Sequence, residues 1–429
     1  MDDPSPQGTT QCPQAAPSHA DLTRVFGRIG LLSFGGPAAQ IALMHRELVE
    51  ERPWLTERQY LSALSFCMLL PGPEAMQLAT YAGWKLRGIA GGLLAGLLFV
   101  LPGALLIALL ALGYAAYGTR PEVAALFLGI KATVIVIVVQ AMVRLSKKAL
   151  HGRLAYGLAA ASFVAIFALG LPFPLIILGA GLLGYALYDG VGAVPAPPAT
   201  PVQPPWRTGL IWLALWLAPL AVLAPRGGFL FDLAAFFAQL GVVTFGGAYA
   251  VLAYMTQTVV QDQGWLTAPQ MVDALGLAET TPGPLILVTQ FVGMVAGQQQ
   301  GGLGLALIAG ALTLWMTFVP CFLWIFAGAP YVERITARPR LNAALGAITA
   351  AVVGVILNLS LWFALHVLFV DVSDATFGPV TLPLPDLASL QPIVLALIAL
   401  AALLLMGLKR GVAATLLITA VAGYGLSLI

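Results

Sequence analysis

Lysine and arginine are absent from the whole stretch between Arg226 and Arg334. Charge of either sign is scarce elsewhere, with 20 Lys and Arg and 18 Asp and Glu in 429 residues. Cysteine is rare too: Cys12, Cys67 and Cys321 give neither a disulfide framework nor metal-ligand spacing, and the two in apolar segments read as small buried hydrophobes. The four histidines, His19, His45, His151 and His366, are scattered. No nucleophile–base pair or metal cluster emerges, which argues against an enzyme. There is no P-loop, so no nucleotide is expected, and no other cofactor or nucleic acid either.

What the chain has in excess is apolar length. Hydrophobic residues make up 60% of it, and its mean hydropathy is +0.93. Runs such as Ile89–Leu112 and Gly302–Gly328 suffice to cross a hydrocarbon core, which takes about 20 residues as helix. They carry no polar face, so a soluble amphipathic helix is excluded. The class is an all-α integral membrane protein in contact with a lipid bilayer.

The basic-poor stretch repeats a basic one. Ser33-Phe34-Gly35-Gly36 returns as Thr244-Phe245-Gly246-Gly247, Trp54-Leu55-Thr56 as Trp265-Leu266-Thr267, and Pro71-Gly72-Pro73 as Pro282-Gly283-Pro284, each 211 residues on. Arg24, Arg28, Arg46, Arg52, Arg58, Lys85 and Arg87 of the first copy have no basic counterpart in the second. Basic loops stay cytoplasmic. Two inverted-topology repeats are therefore expected, as in many secondary transporters. The divisions are a disordered cytoplasmic tail (1–20), an N-terminal repeat (21–188), a proline-rich linker with a connecting transmembrane helix (189–229), and a C-terminal inverted repeat (230–429). The tail has no apolar core after a basic cluster and does not resemble a cleavable signal.

Basic clusters fix the threading. Gln59–Gly83 has Arg46, Arg52 and Arg58 before it and Lys85 and Arg87 after it, while Pro71-Gly72-Pro73 breaks its middle. Each arm of about 12 residues would reach ~18 Å, roughly half a bilayer. A re-entrant hairpin is preferred, and a kinked span is the alternative. Ile29–Met44, broken at Gly35-Gly36-Pro37, reads as either form. Ile89–Leu112 then goes outward and Val123–Val143 inward to Arg144, Lys147 and Lys148. Leu154–Gly170 and Phe173–Tyr188 form a hairpin, and Leu210–Ala224 crosses to start the second copy outside. The chain returns with Gly302–Gly328, Leu341–Val370, Pro392–Leu408 and Val412–Leu428, with a loop bearing Asp371, Asp374 and Asp386 outside. Trp54 and Trp265 fit interfacial anchors.

Broken helices at membrane depth point to a substrate site. Half-helices starting at Glu74 and Leu285 would offer unpaired amides and a positive dipole end to an oxyanion, with Gly35, Gly36, Gly246 and Gly247 adding more. The plain alternative is that these residues only permit kinks and close packing. Lys131 lies deep in Val123–Val143 opposite Thr349 in the other copy, and suits an anion or else an ion pair with Glu122 or Glu74. Glu74 and Glu279 flank the tips and are the candidate proton-coupling groups, with simple helix capping the alternative for Glu74. Gln77, Thr280, Thr281, Thr289 and Gln290 are nearby donors, while Gln140 and Asn358 read equally as helix–helix glue. Arg46, Lys85 and Arg87 either draw anions to a cytoplasmic entrance or only set topology.

These motifs resemble the chromate ion transporter family in its two-domain, long-chain form. The residues that carry the likeness are Ser33-Phe34-Gly35-Gly36-Pro37, Trp54-Leu55, Leu69-Leu70-Pro71-Gly72-Pro73-Glu74 and Ala278-Glu279-Thr280-Thr281-Pro282-Gly283-Pro284-Leu285. The likeness runs from about Asp21 to the C-terminus. It implies multi-pass insertion in the bacterial inner membrane, and gradient-driven, proton-coupled export of chromate by an antiporter, conferring chromate resistance. Sulfate or another oxyanion, or a passive anion channel, are the alternatives. Carriers of this kind often dimerise, so a homodimer is expected.

Overall fold

The computed structural model describes residues 17–34, 36–118, 120–188, 205–245, 248–332, 338–378 and 380–428. Gly35, Gly246, Gly247, the tail 1–16 and the linker segment 189–204 lie outside the described residues.

The first half runs α1 (His19–Leu32), α2 (Gly36–His45), a π-turn (Arg46–Glu50), α3 (Glu57–Leu69), α4 (Glu74–Tyr117), α5 (Pro121–Ala149), α6 (Gly152–Phe167) and α7 (Phe173–Ala186). After α8 (Trp206–Leu223) the same order returns. It comprises α9 (Phe229–Val243), α10 (Ala248–Thr256), a π-turn (Gln257–Asp262), α11 (Ala268–Thr280), α12 (Val288–Gly328) and α13 (Pro339–Leu368). The shorter α14 (Pro392–Ala402) and α15 (Val412–Leu426) close the chain. One insertion departs from the repeat. The segment expected as a plain acidic loop forms an antiparallel hairpin of β1 (Val372–Phe377) and β2 (Val380–Pro385). Its Thr381 amide donates to the Ala168 carbonyl at the end of α6, 2.9 Å away.

The repeated motifs have local causes. Thr56 and Gln59 form a capping box at the start of α3, and Thr267 and Gln270 form the same box at the start of α11. In each, the threonine hydroxyl takes the third amide while the glutamine returns to the threonine amide, satisfying two donors the helix leaves free. Trp265 does not sit as a free anchor; it is buried against the rings of Phe229 and Phe236.

The long helices α4 and α12 are each two helices joined at a reversal. Arg87–Gly88 and Gly301–Gly302 share one non-helical geometry, with the glycine in the second position at φ of +64° and +76° respectively. Beyond the bend the chain folds back, so that Gly83 packs on Gly91 and Gly293 on Thr313. The tripeptide before each bend reverses the chain too. Phe66 and Tyr81 lie 15 residues apart across Pro71-Gly72-Pro73, a spacing of about 22 Å on a continuous helix. Their ring centroids are 6.5 Å apart.

Packing between the halves is reciprocal. α5 packs on α14 and α15, while α13 packs on α6 and α7, so each half covers the other's central helix. The α5–α15 crossing brings Gly129 against the Thr419 carbonyl, and the Thr133 and Thr419 hydroxyls meet at 2.7 Å. Small residues allow such approach where lipid supplies no hydrophobic drive. Among the described residues, five helices are long and apolar enough to cross a membrane: Glu74–Tyr117, Pro121–Ala149, Trp206–Leu223, Leu285–Tyr331 and Pro339–Leu368.

A methyl group at Gly129 would strike backbone, whereas one at Gly157 of α6 meets nothing within 4 Å. Overpacking typically costs about 1–3 kcal/mol, while Gly→Ala in an open helical position gains up to about 1 kcal/mol. Gly129→Ala should therefore lower the unfolding temperature in detergent and Gly157→Ala should not. Equal effects would contradict the close crossing.

Candidate functional site

The two Pro-Gly-Pro turns meet the helix breaks of the opposite half. The Gly72 amide donates to the Thr244 carbonyl at 2.9 Å, and the Gly283 amide to the Ser33 carbonyl, also at 2.9 Å. Ser33 and Thr244 end α1 and α9, where carbonyls have no partner within their own helix. Gly72 and Gly283 hold φ of +119° and +91°, which other residues rarely adopt. Each turn therefore supplies the donor that the other half's broken helix lacks. The Gly72 and Gly283 amides are thus held by protein carbonyls. The second half-helix opens differently from expectation, as a 3-10 turn over Leu285–Leu287 before α12.

Side chains close around the crossing. Gln40 donates from Nε2 to the Gly283 carbonyl at 2.7 Å, and Gln77 from Nε2 to the Pro71 carbonyl at 2.6 Å. The Oε1 atoms of Gln40, Gln77 and Gln290 are buried and receive no hydrogen bond from the protein. Three buried amide groups thus keep hydrogen-bonding capacity. Thr280 and Thr281, expected as donors, turn their hydroxyls to the Leu277 and Ala278 carbonyls of their own helix, at 2.7 and 3.1 Å. Thr289 does likewise to the Ile286 carbonyl at 2.9 Å.

The buried ionisable groups of the two halves fall into two sets. Glu279 accepts a hydrogen bond from the Tyr249 hydroxyl at 2.9 Å. Arg144 and Lys148, at the basic end of α5, lie close enough to act by charge on Glu279 and Glu74 respectively. The second set is a buried ion pair. Lys131 Nζ stands 2.9 Å from Asp273 Oδ1, and the Tyr114 hydroxyl donates to Asp273 Oδ2 at 2.8 Å. The partner of Lys131 is therefore Asp273 on α11, and not Glu122 or Glu74. This triad joins α4 and α5 to α11 of the second half. Asp273 and Tyr114 escaped the sequence reading, although the rule that marks Lys131 marks Asp273 equally: each is a charge inside an apolar segment. Tyr249, Gln40 and the carbonyl roles of Ser33 and Thr244 had no such signal.

The remaining candidates lie at the periphery. Gly36 opens α2 at φ of +78°. Arg46 is exposed and pairs with Glu51 at 3.5 Å, Lys85 is exposed, and Arg87 donates to the Pro17 carbonyl at 2.6 Å. Beside them Arg28 and Arg52 both hold the fully buried Glu47, pinning α1 to the π-turn. His45 sits between Glu57 and Glu50 at 2.7 and 3.1 Å, and its hydrogen bond to Glu57 raises the imidazole pKa above its ordinary value. No metal-holding group of three or more His, Cys, Asp or Glu gathers among the described residues.

Apolar spanning helices around a buried polar crossing define a multi-pass membrane protein of the transporter class. The chain belongs to the chromate transporter family, whose model matches residues 20–185 and 231–426. It is 31% identical over 394 residues to a chromate transport protein of Cupriavidus metallidurans, covering 90% of this chain and 93% of that one. It is 35% identical over 353 residues to a chromate transport protein of Pseudomonas aeruginosa, covering 81% and 82%. A probable chromate transport protein of Synechococcus elongatus is 33% identical over 336 residues, covering 78% and 82%. No solved structure matches the chain.

Removing one member of a buried ion pair typically costs about 3–5 kcal/mol, whereas replacing both by apolar residues is often neutral. Lys131→Met and Asp273→Leu should each depress the unfolding temperature in detergent, and the double variant should recover most of the loss. Additive losses would show that the two charges do not depend on each other.

Proposed function

We propose that this protein is a secondary active transporter that exports chromate from the cytoplasm across the bacterial inner membrane, coupled to protons, and so confers chromate resistance. In this reading the two halves lie head-to-foot in the bilayer, with Gln59–Gly83 and its counterpart as re-entrant hairpins whose tips meet near the midplane. The support is the one-sided distribution of basic residues, the 6.5 Å approach of Phe66 and Tyr81, and the names of the relatives.

The observation that carries the reading is Lys131 paired to Asp273 at 2.9 Å on α11, the helix that leads into the second Pro-Gly-Pro turn. A tetrahedral dianion drawn in past Arg144 and Lys148 competes with Asp273 for the ammonium. Anion and carboxylate thus exclude each other at the ammonium, and Glu74 and Glu279 are the coupling carboxylates. Gly36, Gln77 and the turns shape the surrounding cradle, and Arg46, Lys85 and Arg87 mark its cytoplasmic mouth.

Energetics do not require ATP. Moving one charge through 100 mV is worth about 2.3 kcal/mol, so an inside-negative potential of that size favours outward movement of a dianion by about 4.6 kcal/mol. That sustains a concentration ratio of roughly three powers of ten.

Inside-out vesicles bearing the protein should accumulate chromate saturably, an uncoupler should abolish accumulation, and modest sulfate should not compete. Lys131→Ala and Glu279→Gln should each abolish uptake while leaving insertion intact. Uptake unaffected by the uncoupler contradicts proton coupling. Rapid flux that never moves uphill identifies a channel, and saturation by modest sulfate identifies a sulfate carrier.

A further inference from the structure

A cavity of about 420 Å³ opens between the end of α6, the second π-turn, α13 and the β-hairpin. That is within the usual range of small-molecule sites, about 300–1,000 Å³. Its polar wall includes Gln257, Gln261, Asn358, Trp362, His366 and Asp374. Gln257 Oε1 is buried there without a hydrogen-bond partner.

The wall has a counterpart in the other half. α13 repeats α5 with a displacement of 218 residues: Pro339 answers Pro121, Thr349 answers Lys131, and Asn358 answers Gln140. In the same register Trp362 stands where α5 has Arg144, and His366 where it has Lys148. The π-turn residue Gln257 likewise answers Arg46, 211 residues earlier. Arg144 and Lys148 are the two cations that act on Glu279 and Glu74 at the turns. The corresponding positions of the cavity carry no fixed positive charge, and Asp374 adds a negative one.

The imidazole of His366 is not a fixed cation as arginine and lysine are. Its Nδ1 lies 2.8 Å from the Trp362 carbonyl, which can only accept, so Nδ1 carries the hydrogen. In the neutral ring Nε2 is then a lone-pair acceptor, which repels an anion. The Trp362 ring, 4.3 Å from the His366 ring, holds that orientation.

We propose that this cavity is the exit half of the anion path, and that Trp362 and His366 make it a low-affinity release site by replacing the cations of the entry side. The inference rests on the export reading above and adds to it a structural reason for weak rebinding on the outer side. A carrier with equal mouths would rebind its substrate outside. One with a cationic inner mouth and a cation-free outer mouth captures on one side and lets go on the other.

Two measurements on the full-length chain test this, in a background with Cys12, Cys67 and Cys321 replaced by serine and retaining transport. With Asn358→Cys, a membrane-impermeant maleimide should label from the outer face and not from the inner. With Trp362→Arg/His366→Lys, chromate added outside should inhibit efflux at a concentration about tenfold lower or less, the change expected from one good charge contact of roughly 1.4 kcal/mol. Half-saturation by inner chromate should stay within about twofold. Should the double variant fail to insert, His366→Lys alone is read the same way. Labelling from the inner face, or from neither, overturns the assignment of the cavity. Unchanged outer inhibition overturns the role of Trp362 and His366. Absence of chromate flux in the unmodified protein would instead defeat the export reading, and leaves the side of labelling to decide the cavity by itself.

Discussion

A backbone amide or carbonyl without a partner costs several kcal/mol in hydrocarbon, and every broken helix in this protein must meet that demand. The fold answers it by exchange. α1 and α9 stop at Ser33 and Thr244 with carbonyls to spare, and the Pro-Gly-Pro turns offer Gly283 and Gly72 amides to them across the two halves. Proline on both sides of each glycine removes competing donors, and positive φ at the glycine turns its amide outward from its own segment. The first half meets part of this demand itself, through Gln40 on the Ser33 carbonyl and Gln77 on the Pro71 carbonyl, and the cross-half amides supply the rest. The same reciprocity recurs where α5 lies on α14 and α15 and α13 lies on α6 and α7. Such a protein is one cooperative unit, because separating the halves would strip partners from both breaks at once.

The crossing leaves chemistry behind. Four segments that do not continue as helix converge, and the side chains beside them keep unused capacity: the buried Oε1 atoms of Gln40, Gln77 and Gln290. On α11, the helix leading into the second turn, Asp273 holds Lys131 and Tyr114, and this charge pair spans the two halves. Its place is well chosen for a mechanism in which a substrate's charge is exchanged for the protein's own. A lone lysine at that depth would bind anions too tightly or lose its proton, whereas a paired one is available only to a ligand that competes for it.

Much of this was legible in the chain. The 211-residue spacing of Ser33 and Thr244, Trp54 and Trp265, and Pro71 and Pro282 exposes the duplication, and the apolar runs mark the helices, because both are local properties. The breaks at Gly36 and at the two tripeptides followed from what proline and glycine do to helices. Partnership was not legible. Nothing periodic says that Gly72 meets Thr244, or that Lys131 meets Asp273 rather than the acids nearer in sequence. The Gly72 and Gly283 amides meet the orphan carbonyls of the other half, a pairing that no local pattern announces. The β-hairpin was hidden because Pro383 and Pro385 and the acids of Asp371–Asp386 read as loop.

The account stands on the two halves lying head-to-foot, and the most direct measurement is an experimental density map of the protein in a lipid nanodisc. Both Pro-Gly-Pro turns should lie inside the hydrocarbon band, each within hydrogen-bonding distance of the other half's Ser33 or Thr244, with Glu51 and Asp262 at opposite headgroup layers. A map with Glu51 and Asp262 at the same layer, or with either turn at the headgroups, would contradict it.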